Sequence, residues 1–112
     1  MAYIKLNLIA LVLISNTSSA TLASWYGYPF HGRKTASGEV FNQYAMTCAS
    51  NSHKLGTKLL VTNPSNDKSV IVRVTDTGGF SKYGRTLDLS KGAFMRIANP
   101  TQGIIKIKIK QL

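Results

Sequence analysis

Glycines and prolines recur throughout the chain beyond position 26, at Gly27, Pro29, Gly32, Gly38, Gly56, Pro64, Gly78, Gly79, Gly84, Gly92, Pro100 and Gly103. Proline removes a backbone donor and glycine weakens any regular element it interrupts, so this punctuation leaves room mainly for short segments. The segments between are β-rich in composition, which predicts a mainly β fold. The clearest predicted strands are Lys58–Thr62, Val70–Thr75 and Ile104–Lys110, the first two joined by Asn63-Pro64-Ser65-Asn66-Asp67, a run suited to a hairpin turn. In the last strand Ile105, Ile107 and Ile109 alternate with Lys106, Lys108 and Lys110. Period two puts the isoleucines on a core and the lysines in solvent, where they also guard a strand edge against aggregation. One stretch departs from this pattern. Ser90 is a good helix N-cap, Ala93, Phe94, Ile97 and Ala98 fall on one helical face, and Asn99-Pro100 ends the run. The expectation is one short helix against a compact barrel of short strands, because closing the sheet removes its edges.

At 112 residues the chain holds a single domain. Its start, MAYIKLNLIALVLISNTSSATLA, has an early Lys5, an apolar run from Leu6 to Ile14 and then small polar residues, which is the pattern of a secretory signal peptide. The run is too short to span a bilayer, so no stable membrane anchor is expected. Cleavage after Ala20 or after Ala23 satisfies the small-residue rule, giving a signal over 1–23 and a domain over 24–112 that is secreted, periplasmic or extracellular, and monomeric. The only cysteine, Cys48, lies too deep to carry a lipid and cannot pair within its own chain. Set among the small residues Ala45-Met46-Thr47 and Ala49, it reads as a small buried hydrophobe.

The formal net charge is +10, and losing Lys5 with the signal leaves about +9, so the natural partner is a polyanion. No helical basic region and no base-stacking aromatic motif favours nucleic acid. Peptidoglycan glycan strands and other anionic wall polymers suit an exported chain better. Charge that merely keeps a secreted protein soluble is the plainer alternative.

Chemistry on sugars normally uses carboxylates, and only four are present: Glu39, Asp67, Asp76 and Asp88. Asp67 falls in the predicted hairpin turn, where aspartate commonly caps its own backbone. Asp76 follows a predicted strand and precedes Thr77-Gly78-Gly79-Phe80, a strand end beside a flexible loop, where functional residues tend to be placed. By position alone it is as well read as a loop cap. Asp88 lies between Leu87 and Leu89 and suits a structural role, capping the helix or pairing with Arg73 or Arg85. Glu39 follows Gly38, which permits a tight turn, and alone it is an ordinary surface glutamate. His31 and His53 lack the paired spacing of zinc ligands, and no phosphate loop or nucleophile elbow is present, so neither a metal nor a cofactor is expected. Trp25, Tyr26, Tyr28 and Phe30 form an aromatic cluster followed by His31, Arg33 and Lys34, which would suit a glycan groove. Core packing is the competing role for Trp25 and Phe30.

Taken together, Ala23-Ser24-Trp25-Tyr26-Gly27, the run from Phe30 to Glu39, Leu55-Gly56-Thr57, Val61-Thr62-Asn63, Val74-Thr75-Asp76, Gly79-Phe80 and Leu87-Asp88-Leu89-Ser90 resemble the rare lipoprotein A family across essentially the whole mature chain. The resemblance implies a six-stranded double-psi β-barrel, a fold shared with expansins. It also implies an endolytic lytic transglycosylase that cleaves between N-acetylmuramic acid and N-acetylglucosamine and leaves 1,6-anhydro ends. By motif position it assigns Asp76 as the catalytic acid and Glu39 as its acidic partner and places His31 in the groove; Trp25, Tyr26, Arg33, Lys34, Thr35, Gly79 and Phe80 are the further candidate substrate-binding residues. Ser50 departs from that pattern, because lytic members carry a histidine there, and serine cannot shuttle a proton near neutral pH as imidazole can. His53, three residues on, reaches the groove only if the loop curls, since an extended segment carries it roughly 10 Å away. The readings are a lytic transglycosylase, a non-catalytic wall binder or expansin-like loosening protein, and an inhibitor or effector using the barrel as a scaffold.

Overall fold

The computed structural model describes residues 21–78 and 86–112. Most of the predicted signal segment and the loop residues Gly79 and Phe80 therefore lie outside the described residues. The strands are β1 (Leu22–Tyr26), β2 (Thr47–Ser50), β3 (Lys58–Asn63), β4 (Lys68–Asp76), β5 (Leu87–Ser90), β6 (Ile105–Lys106) and β7 (Lys108–Gln111), with one helix, α1 (Lys91–Ile97). They form a single mixed sheet in the order β6-β1-β5-β2-β4-β3-β7. The β1/β5 and β2/β4 pairs are parallel and the rest antiparallel. As expected, the fold is mainly β with one short helix.

The strand predicted over Ile104–Lys110 is divided at Ile107, whose N–H goes instead to the Thr21 carbonyl. Its first half pairs with β1 and its second with β3, so the two ends of the sheet order meet in one stretch of chain and the sheet curls. Inside the curl lie Leu59, Val61, Val72, Val74, Leu87 and Leu89, against Phe94 and Ile97 of the helix. Cys48 joins this core as a free thiol, and burial pushes it up to about 12. The Ser90 side chain accepts the Ala93 N–H, which caps α1 as the sequence predicts.

The β3/β4 hairpin forms, but Asp67 is not its cap. Asn63 accepts the Ser65 N–H and Asn66 the Lys68 N–H, while Asp67 takes a left-handed φ of 59°. A short polar side chain tolerates that conformation better than most non-glycine residues.

Strand alternation then separates two faces. Ala23 and Trp25 share the core face with Leu87 and Leu89, whereas Ser24 and Tyr26 pair in register with Asp88 and Ser90 on the other. Between β2 and β4 the register shifts: Cys48 faces Val74, yet Ala49 faces Asp76. The extra residue on β4 is a bulge, and in a period-two strand one extra residue exchanges the faces. Asp76 is thereby turned from the core face, where Val74 lies, to the face carrying Ser24, Tyr26 and Asp88.

Candidate active site

Ala49 has Asp76 beside it on β4 and Asp88 beside it on β5, so two carboxylates flank the smallest chiral side chain in one row across three strands. Both aspartates are half-buried. Asp76 accepts from the Ala36 N–H at 3.0 Å and the Thr77 N–H at 2.9 Å, both on Oδ1, and Asp88 accepts from the Ser24 hydroxyl at 2.7 Å. Backbone donors on one oxygen orient the Asp76 carboxyl and leave Oδ2 for a proton.

Ser24 completes the row on β1, and Tyr26 lies two residues further along the same face. Its ring stacks on Phe41 at 4.3 Å and meets the edge of Phe30 at 5.8 Å. Its hydroxyl is sealed from solvent and set against the Asp76 carboxyl. Burial first, then the charges of Asp76 and Asp88, push the phenol above its ordinary pKa.

The loop over residues 27–46 covers this face. Besides the Ala36 contact, the Ser37 N–H reaches the Thr75 carbonyl, and Glu39 grips Arg73 through two hydrogen bonds of 2.5 and 2.9 Å. The Arg73 guanidinium holds the Glu39 carboxyl below its ordinary value. Glu39 is therefore an anchored anion that ties the loop to β4. Between loop and strand lies a hollow of about 180 Å³ lined by Thr35, Glu39, Phe41, Thr47, Arg73 and Thr75. The Thr35 hydroxyl sits 2.9 Å from both the Ser37 hydroxyl and the Glu39 carbonyl. His31 is exposed and uses Nδ1 to accept the Gln43 N–H, which places its proton on Nε2, and Arg33 and Lys34 are exposed on the same loop.

Ser50 is not beside the Asp76 carboxyl. Strand alternation aligns it with Leu87 on the core face, and its side chain is 1% exposed. Its Oγ accepts the Ser52 and His53 N–H groups at 3.2 Å each, a tight turn that curls the following loop. The curl, which the sequence leaves open, brings His53 Nδ1 within 3.2 Å of Ser50 Oγ. Next in line, Asn51 spans Gly78 with both ends of its amide, fixing this loop alongside the chain that leaves Asp76. Trp25 turns to the core, 6.5 Å from the Phe94 ring, with its indole N–H on the Pro100 carbonyl. Phe30, an alternative core candidate, is 48% exposed.

The structure thus gathers Asp76, Tyr26, Thr35 and Glu39 about one face and leaves Trp25 and the Ser50 side chain on the other. Three further residues belong to the same neighbourhood: Asp88 across Ala49, Arg73 as the partner of Glu39, and Asn51. The two core leucines that flank Asp88 already imply that its side chain points away from the core. Its alignment with Asp76 depends on strand pairing, which local patterning does not contain. Among the described residues no group of three or more His, Cys, Asp or Glu side chains could hold a metal ion.

The family model described as lytic transglycolase matches residues 18–109. The probable endolytic peptidoglycan transglycosylase RlpA of Synechocystis is 49% identical over 83 residues, covering 74% of this chain and 26% of that protein. The endolytic peptidoglycan transglycosylase RlpA of Campylobacter jejuni is 44% identical over 89 residues, covering 80% of this chain and 32% of that one. The chain therefore spans about a quarter to a third of the length of these curated relatives. Among solved structures, a mutant of Clavibacter michiganensis expansin in complex with cellohexaose superposes with a TM-score of 0.63 at 25% identity, over 83% of this chain and 49% of that one.

Proposed function

Because the chain belongs to the rare lipoprotein A family of double-psi β-barrels, we propose that it is an exported lytic transglycosylase domain acting on peptidoglycan glycan strands, with Asp76 as its acid and base. The observation that carries this reading is the β4 bulge, which turns a half-buried, backbone-oriented carboxyl out of the core and beneath the covering loop, on the face of Tyr26 and Asp88. In the reaction Asp76 Oδ2 gives its proton to the glycosidic oxygen as the bond to the muramyl C1 breaks. The muramyl C6 hydroxyl then forms the new bond to C1 and surrenders its proton to the same carboxylate. The acid is regenerated, no water is consumed, and a 1,6-anhydro end results. Glu39 serves by holding the loop whose Ala36 N–H orients Asp76. Arg33, Lys34 and the rings of Tyr26 and Phe30 form the rim that meets the glycan.

Of the two cleavage points, the one after Ala20 suits the fold. Ala23 is fully buried in β1 and pairs with both Leu87 and Ile105, so cleavage after it would remove a core residue.

A second reading is a non-catalytic wall binder or loosening protein, favoured by position 50, whose serine is spent on a turn on the core face. Purified mature protein and its Asp76→Asn variant, incubated with glycan strands and followed by mass spectrometry, separate the two. Anhydro-muramyl ends made by the native protein and lost in the variant support catalysis. Sedimentation with the wall without new ends supports the binder and removes the enzyme reading.

A further inference from the structure

We propose that the lysine ladder of the last strand is a docking surface for an extended, phosphodiester-linked polyol chain. Lys106, Lys108 and Lys110 are all exposed, while Ile105 and Ile107 are buried and Ile109 is half-buried, so the three lysines stand on one outward face. Every second residue of an antiparallel strand advances roughly 7 Å, which sets the ladder's period. Lys58 extends it: Lys110 faces Leu60 on β3, and Lys58, two residues before Leu60, shares its face one diagonal away.

Among the described residues no acid pairs with Lys106, Lys108 or Lys110. The residues opposite are Leu22, Thr62 and Leu60. All four carboxylates are engaged or placed elsewhere: Glu39 on Arg73, Asp76 and Asp88 flanking Ala49, and Asp67 in the hairpin turn. Like charges at successive outward positions repel one another. Lys106, Lys108 and Lys110 have no acid in step with them, and the fourth lysine, Lys58, stands opposite Arg73, whose charge Glu39 already holds; the row fits a ligand with the opposite charge at a similar repeat.

The chemistry of the face selects that ligand. Its uncharged members are Leu60, Thr62, Ser69 and Ile71, with no aromatic ring on which a base or a sugar could stack. Nor does it present the broad apolar face with which a peripheral helix enters lipid. Lysine is a compact point charge suited to a single phosphodiester. A polyol chain needs no stacking platform. Beside Lys106 lies an open hollow of about 450 Å³ lined by Asn63, Pro64, Ser65, Gln102, Ile104 and Ile105, with room for a polyol unit whose hydroxyls meet Asn63, Ser65 and Gln102 and whose carbons meet the apolar side chains.

For Lys108 and Lys110 the inference stands apart from the catalytic reading, because β3 lies between β7 and the strand bearing Asp76, and only Lys58 borders the Arg73–Glu39 pair. The test is NMR titration of the native protein, of Lys106→Gln/Lys108→Gln/Lys110→Gln and of Asp76→Asn with a synthetic glycerol-phosphate oligomer. A single-stranded oligonucleotide of equal charge and phosphatidylglycerol vesicles are the comparison arms. The expected result is shifts at the amides of 58 and 105–111, a salt slope of about −3 for four lysines, and at least about tenfold weaker binding in the triple variant at low salt. Asp76→Asn binds the oligomer as the native protein does. Since all three lysines are exposed, the triple variant is expected to keep the native spectrum; if it does not, Lys108→Gln alone and the native salt slope serve in its place. Shifts confined to Arg33 and Lys34, undiminished binding by the variants, or equal affinity for the oligonucleotide or the vesicles would overturn the proposal.

Discussion

At the scale of single residues, Tyr26 makes the sharpest demand. The Tyr26 hydroxyl is buried against the Asp76 carboxyl. Tyr26→Phe keeps both ring contacts and should move the thermal midpoint by the equivalent of no more than about 1 kcal/mol. If the phenol serves the neighbouring carboxylates, the same variant will make fewer anhydro ends at an almost unchanged midpoint, and the two measurements together separate site from scaffold. Glu39 gives a pH dependence. Its folded pKa is depressed by Arg73, so its hold on the loop is fully present above the ordinary value of 4.5 and is lost as pH falls through the lower folded value. The amide signals of Ala36 and Ser37 should hold steady from neutrality into the acid range and then shift, and Glu39→Gln should abolish that transition. Asp76 was readable as a strand-end acid before any fold was known. Its burial partners were not, because Tyr26 and Asp88 lie far from it in sequence.

Elements show where local patterning reaches its limit. Alternation in β3, β4 and the last strand, and the cap of α1, follow from side chains a few residues apart, so sequence reveals them. The β4 bulge is different: an added residue is visible only against the partner strand, and it alone decides which face Asp76 occupies. The turn after Ser50 was hidden for a related reason. A serine hydroxyl taking two backbone N–H groups looks the same in sequence as one at a strand end. Gly92 carries a comparable constraint within α1, since a Cβ there would lie 2.6 Å from the Tyr44 carbonyl oxygen and 2.8 Å from the Tyr44 Cα. The Gly92 N–H also bonds the Gln43 carbonyl, so helix and covering loop meet backbone to backbone. Gly92→Ala should push them apart at a cost of about 1–3 kcal/mol in denaturant melts, despite alanine's better helix propensity.

For the whole molecule, the curled sheet depends on one residue with two loyalties. Ile107 is 5% exposed, and its neighbours on either side commit to opposite ends of the sheet order. Ile107→Ala should cost about 2–5 kcal/mol and loosen β1 and β3 together, seen as simultaneous loss of hydrogen-exchange protection in both strands. Loss confined to one strand would show that the two halves of the last strand act separately. The isoleucine periodicity announced a buried strand here. That it closes the sheet on itself appears only once both partners are in place.

That closure also sets a clock. The stretch uniting the two sheet ends follows every other described strand in the chain, so synthesis delivers it after all of them. Until residues 105–111 are made, β1 and β3 each lack a neighbour, and a chain growing from its amino end reaches the closed sheet only when this stretch arrives.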